Sequence, residues 1–260
     1  AQAVEQAVAD EAAKAIVLTC AGRTFCAGAD ITEFGKPPKD PSLSAVQAVI
    51  EAAPKPVIAA IHGTALGGGL ELALSCHYRV AVPSAKCGLP EVKLGILPGA
   101  GGTQRLPRIV GVEKALEMIT SGAHVKAKDA AAMGLFDKLV TEGQLREEAI
   151  AFAREILASG APLKKVRDLD EAIASARGKP EIFEEFRKKN ARKFRGFEAP
   201  EACIKAVEAA VEKPFEEGLA FERSLFETLV ASEQSAAQRY AFFAEREAAK
   251  IPDIPKDTPT

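Results

Sequence analysis

The sequence predicts an α/β core followed by a helical C-terminal region, and three observations predict it. Short apolar runs bounded by turn residues alternate with helical spacing along the first half of the chain. Beyond Val140 apolar residues recur only at helical spacing, with no convincing strand. The longest apolar stretches, such as Val57–Ile61, are far too short to cross a bilayer.

Residues 1–11 carry an alanine-rich helical pattern, and Ala15-Ile16-Val17-Leu18-Thr19 reads as a buried strand. The proline, glycine and lysine content of residues 35–41 marks a loop ahead of a helix near Leu43–Ala52. Val57–Ile61 is the second strand. After Gly63 a helix opens at Gly67-Gly68-Gly69 and runs through Ala73, and Tyr78–Val82 is a further strand ended by Pro83. Gly99-Ala100-Gly101-Gly102-Thr103-Gln104-Arg105 lacks the G-K-[ST] ending of a phosphate loop and the third glycine of a dinucleotide fingerprint, so it reads as a turn into a helix. Residues 142–158, 181–192, 200–211 and 215–250 follow with helical spacing. In the last block Leu219, Leu225, Phe226 and Leu229 mark an amphipathic face, and Phe242 and Phe243 read as core or docking contacts. The organisation is therefore a core over 1–140, a helical region over 141–250, and a tail over 251–260. That tail holds three prolines and reads as a linker, too poor in apolar residues to fold alone.

Acidic residues number 36 against 34 basic ones, and no basic stripe stands out. Nucleic acid and anionic membranes are therefore excluded as main partners. Five scattered cysteines form no C-x-x-C pair, which fits a reduced intracellular compartment such as the cytoplasm. His62, His77 and His124 show no metal-ligand spacing and read as turn or surface histidines, so no metal site is expected.

The chemistry concentrates in three segments. In Ile61-His62-Gly63-Thr64-Ala65-Leu66-Gly67-Gly68-Gly69-Leu70-Glu71 an apolar run breaks into glycines and then a carboxylate. Glycines at a helix start bare the backbone N–H groups to an approaching oxygen, and Glu71 projects toward the same oxygen one turn later. Glu91 follows Cys87-Gly88-Leu89-Pro90, and Phe25-Cys26-Ala27-Gly28-Ala29-Asp30-Ile31 lies upstream. Such a site polarises a carbonyl and moves protons beside it, which is chemistry on a thioester or its α-carbon. Taken alone, Glu91 would be a solvated glutamate favouring the dipole of a helix that starts at Pro90.

Phe25–Ile31, Lys55–Leu72 and Gly88–Arg105, with a weaker match at Gly134–Val140, resemble the crotonase (enoyl-CoA hydratase/isomerase) superfamily in order and spacing. The resemblance implies a crotonase-like spiral of ββα units, an acyl-CoA substrate and no cofactor. It places Ala29 and Gly68 at the oxyanion hole, the backbone of Ala29, Asp30 and Ile31 at the grip on coenzyme A, and Glu71 and Glu91 as the catalytic carboxylates. Asp30 has a second reading, as a cap on the next helical turn. For Gly67 and Gly69 close helix packing and a direct role both stay open, whereas for Gly68 the donor role is favoured. Hydration of a conjugated double bond needs one group to deprotonate water and another to supply a proton. Glu71 is assigned as base and Glu91 as acid, an order the pattern does not fix.

The implied activity is syn addition of water to trans-2-enoyl-CoA, giving 3-hydroxyacyl-CoA in fatty acid β-oxidation. A Δ3–Δ2 enoyl-CoA isomerase and a non-catalytic acyl-CoA-binding module are the alternatives. Gly88-Leu89-Pro90-Glu91-Val92-Lys93-Leu94-Gly95 and the long helical extension resemble the hydratase part of bifunctional hydratase/3-hydroxyacyl-CoA dehydrogenase enzymes. That implies a covalent partner, a dehydrogenase domain that binds NAD, with homo-oligomerisation also compatible. The chain opens without methionine and without the strands and asparagine-containing loop that precede this helix in crotonases, so it reads as a piece of a longer protein.

Overall fold

The computed structural model describes residues 1–34 and 40–248. The linker read at 251–260 and most of the loop at 35–41 lie outside the described residues. The first half runs α1 (Gln2–Ala9), β1 (Ile16–Leu18), α2 (Leu43–Ala52), β2 (Val57–Ile61), β3 (Thr64–Leu66), α3 (Gly68–Ser75), β4 (Tyr78–Ala81) and β5 (Lys86–Gly88). A 3-10 helix, Pro90–Leu94, precedes α4 (Gly102–Val110), α5 (Val112–Ser121), β6 (Val125–Lys126), α6 (Ala127–Ala132) and β7 (Lys138–Leu139). The rest is helical: α7 (Leu145–Ser159), α8 (Glu171–Ala174), α9 (Pro180–Phe194), α10 (Ala199–Glu212), α11 (Phe215–Val230) and α12 (Glu233–Ala248).

Two sheets organise the core. The first has the order β1-β2-β4-β7 and is parallel throughout, with Ile16 opposite Val57 and Ile58 opposite Tyr78. The second has the order β3-β5-β6, with β3 parallel to β5 and β6 antiparallel. Each pass of the chain adds one strand to each sheet before a helical segment: β2–β3–α3, then β4–β5 and the 3-10 helix. This is the expected ββα spiral. β2 is buried at all five positions, as a strand covered on both faces must be, and its sequence Val-Ile-Ala-Ala-Ile carries no polar residue.

Several expectations need correcting. Ala15–Thr19 does not form a buried strand: β1 is shorter, half-buried, and lies at the sheet edge with β2 on one side. The block read as one helix over 215–250 splits at Ser232. Its hydroxyl donates to the Leu229 carbonyl at 2.8 Å and accepts the Ser235 N–H at 3.1 Å, so it ends α11 and caps α12. A serine that bonds its local backbone competes with continuation of the helix, and such a cap is worth about 1 kcal/mol. Of the two readings for Phe242 and Phe243, core or docking contact, the core one fails: Phe243 is 39% exposed, Phe242 packs edge-on against it, and neither joins the buried cluster. His77 is no turn or surface residue. It is fully buried, its Nδ1 accepts the Val57 N–H at 3.0 Å, and burial lowers its pKa.

The helical region packs directly on the elements that carry the candidate site. The buried apolar cluster runs from Val4 to Leu229, and α10 lies against both α4 and α5. α11 meets α4 and α10, while α12 rests on the 3-10 helix, where the Ser235 hydroxyl donates to the Leu94 carbonyl at 2.8 Å. Among the described residues no helix is long and apolar enough to cross a membrane.

Candidate active site

The structure brings Ala29, Gly68, Glu71 and Glu91 together. Phe25–Ala29 is laced to β3: the Cys26 N–H donates to Thr64 O at 3.0 Å and the Leu66 N–H to Cys26 O at 2.9 Å. This lacing carries Ala29 to the start of α3. A Cβ placed on Gly68 would stand 3.7 Å from the Ala29 nitrogen and 4.0 Å from Glu71 Oε2. Gly68 is the first residue of α3, so its N–H has no intrahelical acceptor. Two backbone donors and a carboxylate oxygen therefore share one small volume at the positive end of a helix.

The three glycines have separable roles. Gly67 adopts φ 53°, ψ −130°, a conformation L side chains avoid, and an added Cβ would lie 2.8 Å from Glu91 Oε1. At Gly69 a Cβ would be 2.2 Å from the Cys26 carbonyl oxygen, so close packing accounts for that position. Only at Gly68 would the added carbon face the gap beside Ala29.

Glu71 is 3% exposed. Its Oε1 accepts the Ala100 and Gly102 N–H groups, each at 2.8 Å, and Oε2 is left toward Gly68. Burial raises its pKa, while those two N–H groups and the Arg105 guanidinium oppose the rise. The peptide carbonyl of Glu71 and that of Ala100 both accept from Gln47 Nε2, at 3.0 and 2.8 Å, which ties α2 to the same turn.

Glu91 follows Pro90 in the 3-10 helix, but its carboxyl is not solvated as a plain helix-start glutamate would be. Its Oε2 is buried without a hydrogen-bond partner among the described residues. Burial, and after it the charge of Glu71, push its pKa well above the ordinary carboxylate range. The pair is thus asymmetric. Glu71 has two backbone donors on one oxygen that favour the anion, whereas Glu91 Oε2 has none and burial favours its protonated form.

Asp30 takes the structural role foreseen for it, its Oδ1 accepting the Thr32 N–H at 2.9 Å as the cap of the short 3-10 helix Ile31–Glu33. Ile31 is the first residue of that turn, beyond Ala29. Among the described residues no group of three or more His, Cys, Asp or Glu is arranged to hold a metal ion.

Sequence reasoning missed Glu222 on α11, which is 1% exposed and accepts the Gly101 N–H at 2.6 Å and the Thr103 N–H at 3.0 Å. A signal for it existed. Leu219, Glu222, Phe226 and Leu229 share one helical face, so a lone carboxylate interrupts an apolar stripe.

This geometry meets independent comparisons. The family described as enoyl-CoA hydratase/isomerase matches residues 1–194. The human peroxisomal bifunctional enzyme is 47% identical over 250 residues, covering 96% of this chain and 34% of that protein. The glyoxysomal fatty acid beta-oxidation multifunctional protein of Cucumis sativus is 40% identical over 263 residues, covering 96% of this chain and 36% of that protein. The chain spans about a third of the length of these curated relatives. Among solved structures, carnitinyl-CoA hydratase from Mycobacterium avium is 29% identical with a TM-score of 0.66, covering 94% of this chain and 83% of the other. An enoyl-CoA hydratase subunit from Geobacillus kaustophilus is 35% identical with a TM-score of 0.55, covering 98% and 85%. Family match, sequence identity and fold agree with the motifs, and the chain belongs to the enoyl-CoA hydratase/isomerase family.

Proposed function

We propose that this chain is an enoyl-CoA hydratase, adding water to trans-2-enoyl-CoA to give 3-hydroxyacyl-CoA in fatty acid β-oxidation. One observation carries the reading: a clamped glutamate and a second one with a buried, partnerless oxygen flank a pair of backbone donors. In this reading the Ala29 and Gly68 N–H groups hold the thioester oxygen, and the backbone from Ala29 to Ile31 grips coenzyme A. Glu71 Oε2 takes a proton from water as its oxygen bonds to Cβ. The double-bond electrons move toward the thioester oxygen as an enolate, where fixed donors stabilise the charge without reorganising. Glu91 delivers its proton to Cα as the enolate collapses. No cofactor takes part, because the reaction is redox-neutral and both protons have carriers.

The test is loss of the conjugated-thioester absorbance of crotonyl-CoA on adding the full chain. Rapid loss, with 3-hydroxybutyryl-CoA as the product, is expected. Saturable binding without turnover would replace the hydratase by an acyl-CoA-binding module. Conversion of a 3-enoyl-CoA to the conjugated isomer would add the isomerase activity, since the same oxyanion pair and one ionised carboxylate, taking a proton from Cα and returning it at Cγ, suffice for a proton shift.

The fusion reading rests on the relatives, which are bifunctional or multifunctional by name and about three times longer than the matched region. A 3-hydroxyacyl-CoA dehydrogenase domain beyond residue 260 would bind NAD and oxidise the product at high effective concentration. The setting would be peroxisomal if the source is eukaryotic. Sequencing the parent gene is expected to reveal a dinucleotide-binding domain downstream; a stop codon just after Thr260 overturns the fusion.

A further inference from the structure

Residues 100–103 form one turn whose successive N–H groups go alternately to two buried carboxylates. Ala100 and Gly102 donate to Glu71 Oε1, each at 2.8 Å. Gly101 donates to Glu222 Oε1 at 2.6 Å and Thr103 to Glu222 Oε2 at 3.0 Å, with the Thr103 hydroxyl also on Oε2. Glu222 comes from α11, in the helical region. One helical turn before it, Gly218 lets α11 close onto α4, since a Cβ there would lie 2.1 Å from Gln104 Oε1. On the far side of the threonine, Gln104 Nε2 donates to Thr103 Oγ1 at 2.9 Å and to the Ala206 carbonyl at 2.8 Å. The turn that clamps the candidate base is therefore itself clamped by α11 and α10.

We propose that Glu222 is a positioning residue for Glu71: by holding the Gly101 and Thr103 amides it fixes the Ala100 and Gly102 amides that aim the base. The proposal rests on the hydratase reading for its catalytic consequence. The physical case is geometric. A turn with two of its four amides released can rotate, and a buried N–H without an acceptor will seek one. If Ala100 or Gly102 turns away, Glu71 loses both its orientation and the donors that favour its anion. A misplacement of about 1 Å at a reacting group costs roughly 100-fold in rate.

Glu222→Gln is the first variant, because it keeps the shape but leaves only one acceptor oxygen for the two amides. Glu222→Leu, which offers no acceptor, is the second. Both should lower kcat, Gln by about 10- to 100-fold and Leu by more, with KM for crotonyl-CoA little changed. The acid limb of the pH–kcat profile should move to higher pH, because Glu71 loses N–H donors that favour ionisation. Charge removal at Glu222 does not oppose this shift. Burial, and after it the charge of Glu71, push Glu222 up to about 8, whereas no charge of Glu222 is among the causes that raise Glu71, so Glu71 is the first of the two to ionise. The other ionisable groups facing the pair are Glu91 and Cys203 on α10, beside Glu222, and Arg105 on α4, beside Glu71, all unchanged in the variants. Glu217→Gln on the exposed side of α11 should leave rate and profile as in the parent.

An unmoved acid limb in Glu222→Gln, with kcat at parental level or lowered only in step with the melting temperature, overturns the proposal. So does parental kcat in Glu222→Leu. Should Glu222→Leu fail to fold, Glu222→Gln decides alone. The infrared carboxylate band of Glu71, assigned with Glu71→Gln, reads the same shift without turnover. If the parent does not hydrate crotonyl-CoA but the Glu222 variants still shift that band, the hydratase reading falls and the positioning role stands.

Discussion

Replacing Glu71 or Glu91 by glutamine is expected to lower kcat for hydration by about 100- to 10,000-fold, because the amide keeps the size of the side chain and removes proton transfer. The two variants should then diverge in stability, and the divergence distinguishes chemistry from misfolding. Glu71 is anchored, with two N–H groups at 2.8 Å on one oxygen. In Glu71→Gln the amide oxygen can keep both donors, so little stability should be lost at neutral pH. Glu91 has a buried oxygen with no partner. Its folded-state pKa is raised, by burial first and Glu71 second. Between the ordinary carboxylate range and that raised value the folded chain binds more protons than the unfolded one. Glu91 therefore makes the protein less stable as pH rises through this window, and stability is fully present below it. Glu91→Gln removes that penalty and should melt higher than the parent at alkaline pH. The parental rate should rise as Glu71 ionises and fall as Glu91 loses its proton, with the alkaline limb well above ordinary carboxylate titration. The two limbs belong to the coupled pair. Near-parental turnover in either variant, with an intact melt, removes that glutamate from the mechanism.

The parts of the molecule legible in the sequence are those where local pattern and tertiary role coincide. Val57–Ile61 reads as a strand because a strand buried on both faces has no room for polar side chains. The helix at Gly68 reads as one because glycines both permit the positive φ at Gly67 and bare the amides after it. Failures came where context overrides pattern. Ile16–Leu18 has the composition of a core strand but lies at the sheet edge. Ser232 stops a helix whose spacing continues on either side. His77, between a buried cysteine and a buried tyrosine, accepts from a backbone amide twenty residues earlier, a pairing no local pattern encodes. Glu222 lies furthest from reach. Its partners are about 120 residues upstream, and its one trace in the sequence is a charge on an apolar face. Distances between side chains distant in sequence are also what separate Glu71 from Glu91. The motif supplies two carboxylates, and the amides of residues 100 and 102, with the Arg105 guanidinium, favour the anion at Glu71.

Gly68→Pro should lower kcat by about 100- to 1,000-fold, the usual loss when one oxyanion donor is removed. Proline deletes the N–H outright, and the position is unusually tolerant of it. Gly68 opens α3, and the first helical residue is where proline's fixed φ and missing donor are accommodated. The added side chain meets the Leu43 Cδ2 methyl at 3.1 Å, the movable end of a flexible residue. Strain therefore enters mainly through Gly67, which precedes the proline and holds ψ near −130°. Gly68→Ala separates steric cost from donor loss, since it adds the same first carbon and keeps the N–H. That carbon stands 3.7 Å from the Ala29 nitrogen, so Gly68→Ala should itself be impaired. The proline variant should fall clearly below it. The loss should appear in kcat more than in KM, because full negative charge reaches the thioester oxygen only in the transition state. Burst and steady-state rates for both variants, taken with their melts, decide the case. A proline variant that melts like the alanine variant and turns over as fast leaves the Gly68 amide with no part in holding the oxyanion.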